Sequence, residues 1–146
     1  MHSAQANSQA FATLITVRIG DINYGGHLGH DNLVTLLHQA RLNFLDAIGA
    51  KGEQDCFGCG LIMRRLFVEY FNEAFLGEKL RIEILVSEVT AATFTLEYQV
   101  YDGKNNKIAR AATQMATFDY EKRKVRRLDA KFSINAAPYF KNTDGS

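Results

Sequence analysis

The segment "DNLVTLLHQARLNFLDAIG", residues 31–49, predicts a helix because its apolar residues recur at steps of three and four. Val34 and Leu45 widen the apolar stripe to about half of the helix circumference. Asp31 suits an N-cap and Gly49 suits a left-handed stop, so we predict one long helix over Asp31–Gly49. The stripe itself consists of Leu33, Leu36, Leu37, Ala40, Phe44, Ala47 and Ile48.

Strand-like segments lie on both sides of this helix in the sequence. Phe11 to Ile19 is rich in β-branched residues, and Asp102 to Asn106 is typical of a hairpin turn. Short connections imply antiparallel pairing, and a helix this apolar needs a sheet that curls around it. We therefore predict an α+β fold, an antiparallel sheet wrapped around one long central helix. The later strands are expected at 60–71, 80–86, 94–101 and 108–118.

Size and composition exclude several classes of protein. With 146 residues and 47% hydrophobic content, we expect one domain over 11–140 between disordered segments 1–10 and 141–146. The net charge of +1 gives no field for nucleic acid, and no apolar run reaches the ~20 residues that membrane insertion needs. Two cysteines and no signal-peptide pattern indicate the cytoplasm. The open edges of the predicted sheet favour pairing with a second copy, as a homodimer or homotetramer.

The loop before the helix, "GDINYGGHLGHD" at 20–31, concentrates the candidate chemistry. A helix N-terminus offers free N–H groups and a positive dipole end, which polarise a carbonyl group. Gly25, Gly26 and Gly29 lack the Cβ atoms that would block a substrate from that backbone. The alternative is a structural one, in which the glycines serve only the turn and Asp31 only caps the helix. The candidates for activating water are Asp21, His27, His30 and Asp31.

Two segments resemble a known family. "VRIGDINYGGHLGHDNLVTLLHQARLNFLDAIG" is similar to the first motif of hot-dog-fold acyl-CoA thioesterases of the 4-hydroxybenzoyl-CoA thioesterase type. "VEYFNEAFLGEKLRIEI" resembles their second motif, in which Y-x-x-P-A precedes Gly-Asp and an alternating strand. Glu73 stands here in place of the proline and Glu78 in place of the aspartate. The resemblance implies hydrolysis of acyl-CoA between two subunits, beside the helix N-terminus, without a cofactor.

The resemblance also implies roles for single residues. Asn23 occupies the position of the usual catalytic aspartate, and His30 matches a histidine found in the tol-pal-associated branch. The backbone N–H groups near His30 and Asp31 would hold the oxyanion. An amide cannot accept a proton from water, although it can orient water or hold a substrate carbonyl. Some hot-dog thioesterases, including the plant acyl-carrier-protein branch, use asparagine and histidine in this loop. We therefore predict that Asp31 or His30 activates water and that Asn23 positions it.

Two other functions stay open at this stage. "GDIN…H" is similar to the G-D-x-N-P-x-H motif of enoyl-CoA hydratases, but Tyr24-Gly25-Gly26 replaces Pro-x and moves His27 two residues further from Asn23. A hot-dog domain without the usual aspartate could instead bind an acyl thioester without hydrolysing it.

Three side-chain groups outside the loop have simpler interpretations. Cys56 and Cys59 with the two loop histidines would offer four zinc ligands. The helix between the two pairs is about 30 Å long, however, and keeps the cysteines away from the histidines. We therefore expect no metal site and unpaired surface thiols. His38 is expected to pack, and Arg41, inside the apolar arc, to form a buried salt bridge or subunit contact.

Overall fold

The computed structural model of the chain describes residues 9–22 and 28–142, and within them six strands form one antiparallel sheet. The sheet order is β1-β3-β4-β5-β2, with the short β6 paired to the end of β5. This arrangement confirms the predicted antiparallel α+β fold. The strands are β1 (Phe11–Thr16), β2 (Gly60–Tyr70), β3 (Lys79–Ser87), β4 (Thr93–Tyr101), β5 (Lys107–Asp119) and β6 (Lys124–Val125).

The helix α1, His30–Ala47, packs its apolar stripe against one face of the sheet. The alternation in β3 and β4 supplies the other half of the core, because every second residue in these strands is buried. Ala47 is the exception to the predicted stripe, since it is exposed at the last helical position. The buried residues of this layer are Leu33, Leu36, Leu37, Ala40, Phe44 and Leu45 from α1, with Leu80, Ile82, Ile84, Val86, Phe94, Leu96, Tyr98 and Val100 from the strands.

The sequence predicted the C-terminal end of α1 correctly but not its N-cap. Gly29 is the N-cap, with extended dihedral angles and a carbonyl that accepts the Leu33 N–H at 3.0 Å. The prediction that Asp31 caps the helix was wrong, because the chain becomes helical one residue before it and Asp31 lies inside the first turn. Gly49 at φ 92° does end the helix, as predicted: its N–H donates to the Asp46 carbonyl, and the Ala50 N–H donates to that of Leu45.

Arg41 forms the buried ion pair that the sequence suggested. Its Nε lies 2.5 Å from Glu53 Oε2, and its Nη1 donates to the Tyr98 hydroxyl at 3.2 Å. That hydroxyl is also hydrogen-bonded to Thr113 Oγ1 at 2.8 Å. The guanidinium group is therefore compensated on two sides inside an otherwise apolar layer. His38 lies beside this pair, half-exposed, with Nε2 3.0 Å from the other oxygen of Glu53.

The prediction of surface thiols at Cys56 and Cys59 was wrong. Both thiols are free and buried: Cys56 belongs to the hydrophobic core, and the Cys59 thiol donates to the Arg127 carbonyl at 3.4 Å. The two residues face each other across a tight turn whose central residues, Phe57 and Gly58, have φ values of 54° and 91°. Burial, with the nearby Cys59, raises the pKa of the Cys56 thiol to about 12.

The C-terminal part of the chain contains a helix that the sequence analysis did not predict. Helix α2, Ala130–Ala136, is capped by Asp129, whose Oδ1 accepts the Lys131 N–H at 2.8 Å. Phe132 stacks on Phe94 with ring centroids 4.2 Å apart. Asn135 donates to the Ile48 carbonyl at 2.8 Å, so α2 closes the core at the C-terminal end of α1.

The described ends of the chain are bonded to the body of the domain. The Gln9 N–H donates to the Pro138 carbonyl at 3.3 Å, and the Lys141 N–H donates to the Val86 carbonyl at 2.7 Å. In the parts of the chain that the structure describes, no helix is long and apolar enough to cross a membrane.

Candidate active site

Three chain segments meet at the N-terminus of α1. The short 3-10 turn Ile19–Asp21 contributes the Asp21 carbonyl, which accepts the Gly29 N–H at 3.1 Å and the Asn32 side-chain amide at 3.0 Å. The loop after β2 contributes the Ala74 carbonyl, which accepts the Leu28 N–H at 2.7 Å. These bonds fix the direction in which the first turn of the helix points.

The end of β2 is attached to the first residue of the same helix. The Tyr70 ring stacks on the His30 ring with centroids 4.2 Å apart, and its hydroxyl donates to the His30 carbonyl at 2.6 Å. Burial, together with the negative charge of Asp31, raises the pKa of the Tyr70 hydroxyl. The hydroxyl therefore stays protonated and able to donate throughout the neutral range.

A cavity of about 210 Å³ opens beside this helix end. Its lining combines apolar residues from α1, β5 and the loop after β2 with four polar residues, His30, Tyr70, Asn72 and Glu73. That volume has room for a small acyl group or a single aromatic ring. The lining residues are Leu28, His30, Leu33, Tyr70, Phe71, Asn72, Glu73, Ala74 and Ile108.

The loop 71–78 forms one wall of the cavity and is held by hydrogen bonds along its length. The Phe71 N–H donates to the Ile108 carbonyl at 2.8 Å, and the Asn72 side-chain amide donates to the Lys107 carbonyl at 2.8 Å. Further along, Glu78 Oε1 accepts the Phe75 N–H at 2.8 Å. The loop is therefore a fixed wall, built by its own turn and by the start of β5.

The structure places four of the predicted site residues. His30 lies in the cavity wall, and the buried Gly29 is the N-cap directly before it. Asp31 is exposed in the first turn of α1, close enough to Tyr70 for its charge to act on that hydroxyl. Asp21 is outside the lining of the cavity, and its Oδ2 accepts the Arg18 N–H at 2.7 Å. The predicted roles of Asn23, Gly25, Gly26 and His27 lie outside the described residues.

Tyr70 and Glu73 are site residues that the sequence reasoning missed. Both come from the second motif, which lies far from the glycine-rich loop in sequence and contacts it only after folding. A signal for Glu73 existed, since it replaces the proline usual at that position of the motif. Among the described residues, no group of three or more His, Cys, Asp or Glu side chains is arranged to hold a metal ion.

Comparisons with known proteins agree on the class of protein. The model of the thioesterase-like superfamily matches residues 17–135, and the chain belongs to this family. The sequence matches none of the curated proteins with which it was compared. The family assignment confirms the predicted class, a thioester hydrolase with a hot-dog fold.

Solved structures show the same fold at low sequence identity. A hypothetical protein of Staphylococcus aureus, solved in complex with CoA, superposes with a TM-score of 0.82 at 17% identity, over 95% of this chain and 89% of the other. A 1,4-dihydroxy-2-naphthoyl-CoA thioesterase from Synechocystis gives 0.72 at 16% identity, over 88% and 96%. The 12:0-ACP thioesterase from Umbellularia californica gives 0.73 at 14% identity, over 90% and 54%.

Proposed function

We propose that this protein hydrolyses an acyl-CoA thioester to a free acid and CoA at the N-terminus of α1. The observation that carries the proposal is the cavity of about 210 Å³ beside that helix end, with apolar walls and a polar side. The acyl group would lie against Leu33, Phe71 and Ile108. Its thioester carbonyl would then face the start of the helix.

The helix supplies the electrostatic part of the reaction. The first N–H groups of a helix have no carbonyl of a preceding helical turn to bind, and the dipole adds partial positive charge at the same end. The N–H groups of His30 and Asp31 are therefore suited to stabilise the oxyanion that forms when water attacks the carbonyl carbon. The hydrogen bond from Tyr70 to the His30 carbonyl holds this turn in place.

Asn23, Gly25 and Gly26 keep the roles predicted for them in the glycine-rich loop. Asn23 would position the attacking water, and Gly25 and Gly26 would let the substrate approach the backbone. His30, in the cavity wall, contributes an imidazole that orients the substrate or the water.

We also propose that the protein is a homodimer or homotetramer paired through β2. This strand is at one edge of the sheet, and apolar side chains such as Leu66 and Phe67 are 44% and 48% exposed along it. Pairing with a second copy would cover that edge and those side chains. The two free, buried cysteines support a reducing compartment, the cytoplasm.

The test is release of CoA thiol from a panel of short, long and aromatic acyl-CoAs by the purified protein at neutral pH. We expect turnover on the small or aromatic members, because the cavity of one protomer is small. If a folded sample releases no thiol from any member, hydrolysis of acyl-CoA is refuted. Binding without turnover would then indicate an acyl-CoA-binding protein, and water addition to an enoyl-CoA would indicate a hydratase.

A further inference from the structure

We propose that Glu73 is the general base that activates the attacking water. This inference rests on the proposed hydrolysis and names a residue for its central step. Within the described residues, the cavity wall contains a single carboxylate, Glu73, and a single imidazole, His30. Hydrolysis by activated water needs a proton acceptor beside the thioester carbonyl, and the wall of the cavity is where such a group must lie.

The loop holds Glu73 at this position from both sides. On one side the Asn72 N–H and side-chain amide donate to the carbonyls of Ile108 and Lys107, at 3.3 and 2.8 Å. On the other side the Ala74 carbonyl accepts the Leu28 N–H at 2.7 Å. Glu73 is thus fixed between β5 and the residue that precedes the N-cap of α1. Glu73 and His30, the first residue of α1, line the same cavity.

The other carboxylates near the helix end are less suited to the role. Asp21 accepts the Arg18 N–H inside its own turn and does not line the cavity. Asp31, in the first turn of α1, is also outside the lining. The proposal therefore replaces Asp31 by Glu73 as the carboxylate that takes the proton, and it leaves the backbone at His30 and Asp31 to bind the oxyanion.

The reaction is a simple hydrolysis. A Glu73 carboxylate oxygen takes a proton from water while the water oxygen forms a bond to the thioester carbonyl carbon. The carbonyl electrons move to its oxygen, which the helix N–H groups bind. When the tetrahedral intermediate collapses, the C–S bond breaks, and the proton on Glu73 passes to the departing thiolate. The products are a carboxylic acid and CoA thiol, and Glu73 is again ionised.

The experiment compares Glu73→Gln with Glu69→Gln on the acyl-CoA that the wild-type protein hydrolyses fastest. Glu69 lies near the end of β2, just before the loop that contains Glu73, but it pairs with Arg110 at 2.6 Å and is outside the cavity lining. Its substitution therefore removes the same charge without touching the site. We expect kcat to fall about 100-fold or more in Glu73→Gln and to stay within about 3-fold in Glu69→Gln. Binding of a non-hydrolysable acyl-CoA thioether should be unchanged in both variants.

Two further measurements separate a base from a structural residue. Glu73→Asp keeps the carboxylate, so it should recover part of the activity that Glu73→Gln loses. The acidic limb of the kcat/KM pH profile should be present in the wild type and absent from the residual activity of Glu73→Gln. Turnover by Glu73→Gln within about 3-fold of the wild type would overturn the assignment. So would loss of the acidic limb in His30→Gln together with its retention in Glu73→Gln. Absence of hydrolysis by the wild type would refute the proposed function itself, and with it this inference.

Discussion

Replacing Tyr70 by phenylalanine tests whether the end of β2 positions the helix end that we propose binds the oxyanion. The substitution keeps the ring that stacks on His30 at 4.2 Å and removes only the hydroxyl that donates to the His30 carbonyl at 2.6 Å. One neutral hydrogen bond contributes about 0.5–1.5 kcal/mol to stability. Tyr70 is 36% exposed, so water replaces part of the lost bond and we expect a loss of about 1 kcal/mol.

Loss of the Tyr70 hydrogen bond should also lower kcat. If the hydrogen bond places the helix N–H groups on the developing oxyanion, about 1 kcal/mol of transition-state stabilisation corresponds to a fall in kcat of about 5-fold. KM should change little, because the stacked ring and the cavity walls remain. Urea unfolding measures the first effect, and steady-state thiol release measures the second.

Tyr120→Phe is the matched control for this experiment. The Tyr120 hydroxyl donates to the Leu61 carbonyl at 2.9 Å, a bond of the same kind at the opposite end of β2. Tyr120→Phe should therefore lower the free energy of unfolding about as much as Tyr70→Phe does, and leave kcat unchanged. Because burial and Asp31 raise the pKa of Tyr70, its contribution to stability is present below about pH 10 and is lost as the pH rises through the folded-state pKa. A Tyr70→Phe enzyme with wild-type kcat, or with no more effect than Tyr120→Phe, would refute the positioning role.

Three other predictions concern the rest of the domain. Glu53→Gln should destabilise the protein by about 3 kcal/mol and Arg41→Met by less. The first leaves a buried guanidinium without its charged partner, whereas the second leaves a carboxylate that water reaches. The reverse order in urea unfolding would contradict this. Gly49→Ala should cost about 1 kcal/mol, because φ is 92° there, and an unchanged thermal midpoint would argue against it. Cys56, with a thiol pKa of about 12 in a buried site, should react with iodoacetamide at pH 8 only after unfolding, as mass spectrometry of native and denatured samples will check.

The sequence predicted most of the fold because its hydrophobic periods match the structure. The three- and four-residue steps of α1 and the alternation in β3 and β4 each report which face is buried, and burial is what determines the architecture. The N-cap of α1 was harder to predict than the end of the helix at Gly49. Asp31 is a good capping residue, but the chain enters the helix at Gly29 because Asp21 accepts the Gly29 N–H, a contact that no local pattern reveals.

The candidate site was only partly predictable for a similar reason. His30 is next to its own helix end in sequence, so a local argument found it. Tyr70 and Glu73 reach the same place only after β2 has paired with β5 and the loop after it has bonded to Ile108. The burial of Cys56 and Cys59 likewise depends on the turn between them.

The three segments that meet at the N-terminus of α1 have a consequence for refolding. The bond from the Gly29 N–H to the Asp21 carbonyl joins residues that are close in sequence, whereas the bonds from Leu28 to Ala74 and from Tyr70 to His30 close loops of about 40 residues or more. Loop-closure entropy makes such contacts slow to form, while helices form on the microsecond timescale. Helical circular dichroism should therefore recover before catalytic activity when denaturant is diluted. The rate at which enzymatic turnover returns would therefore report the formation of the last long-range contacts of the chain.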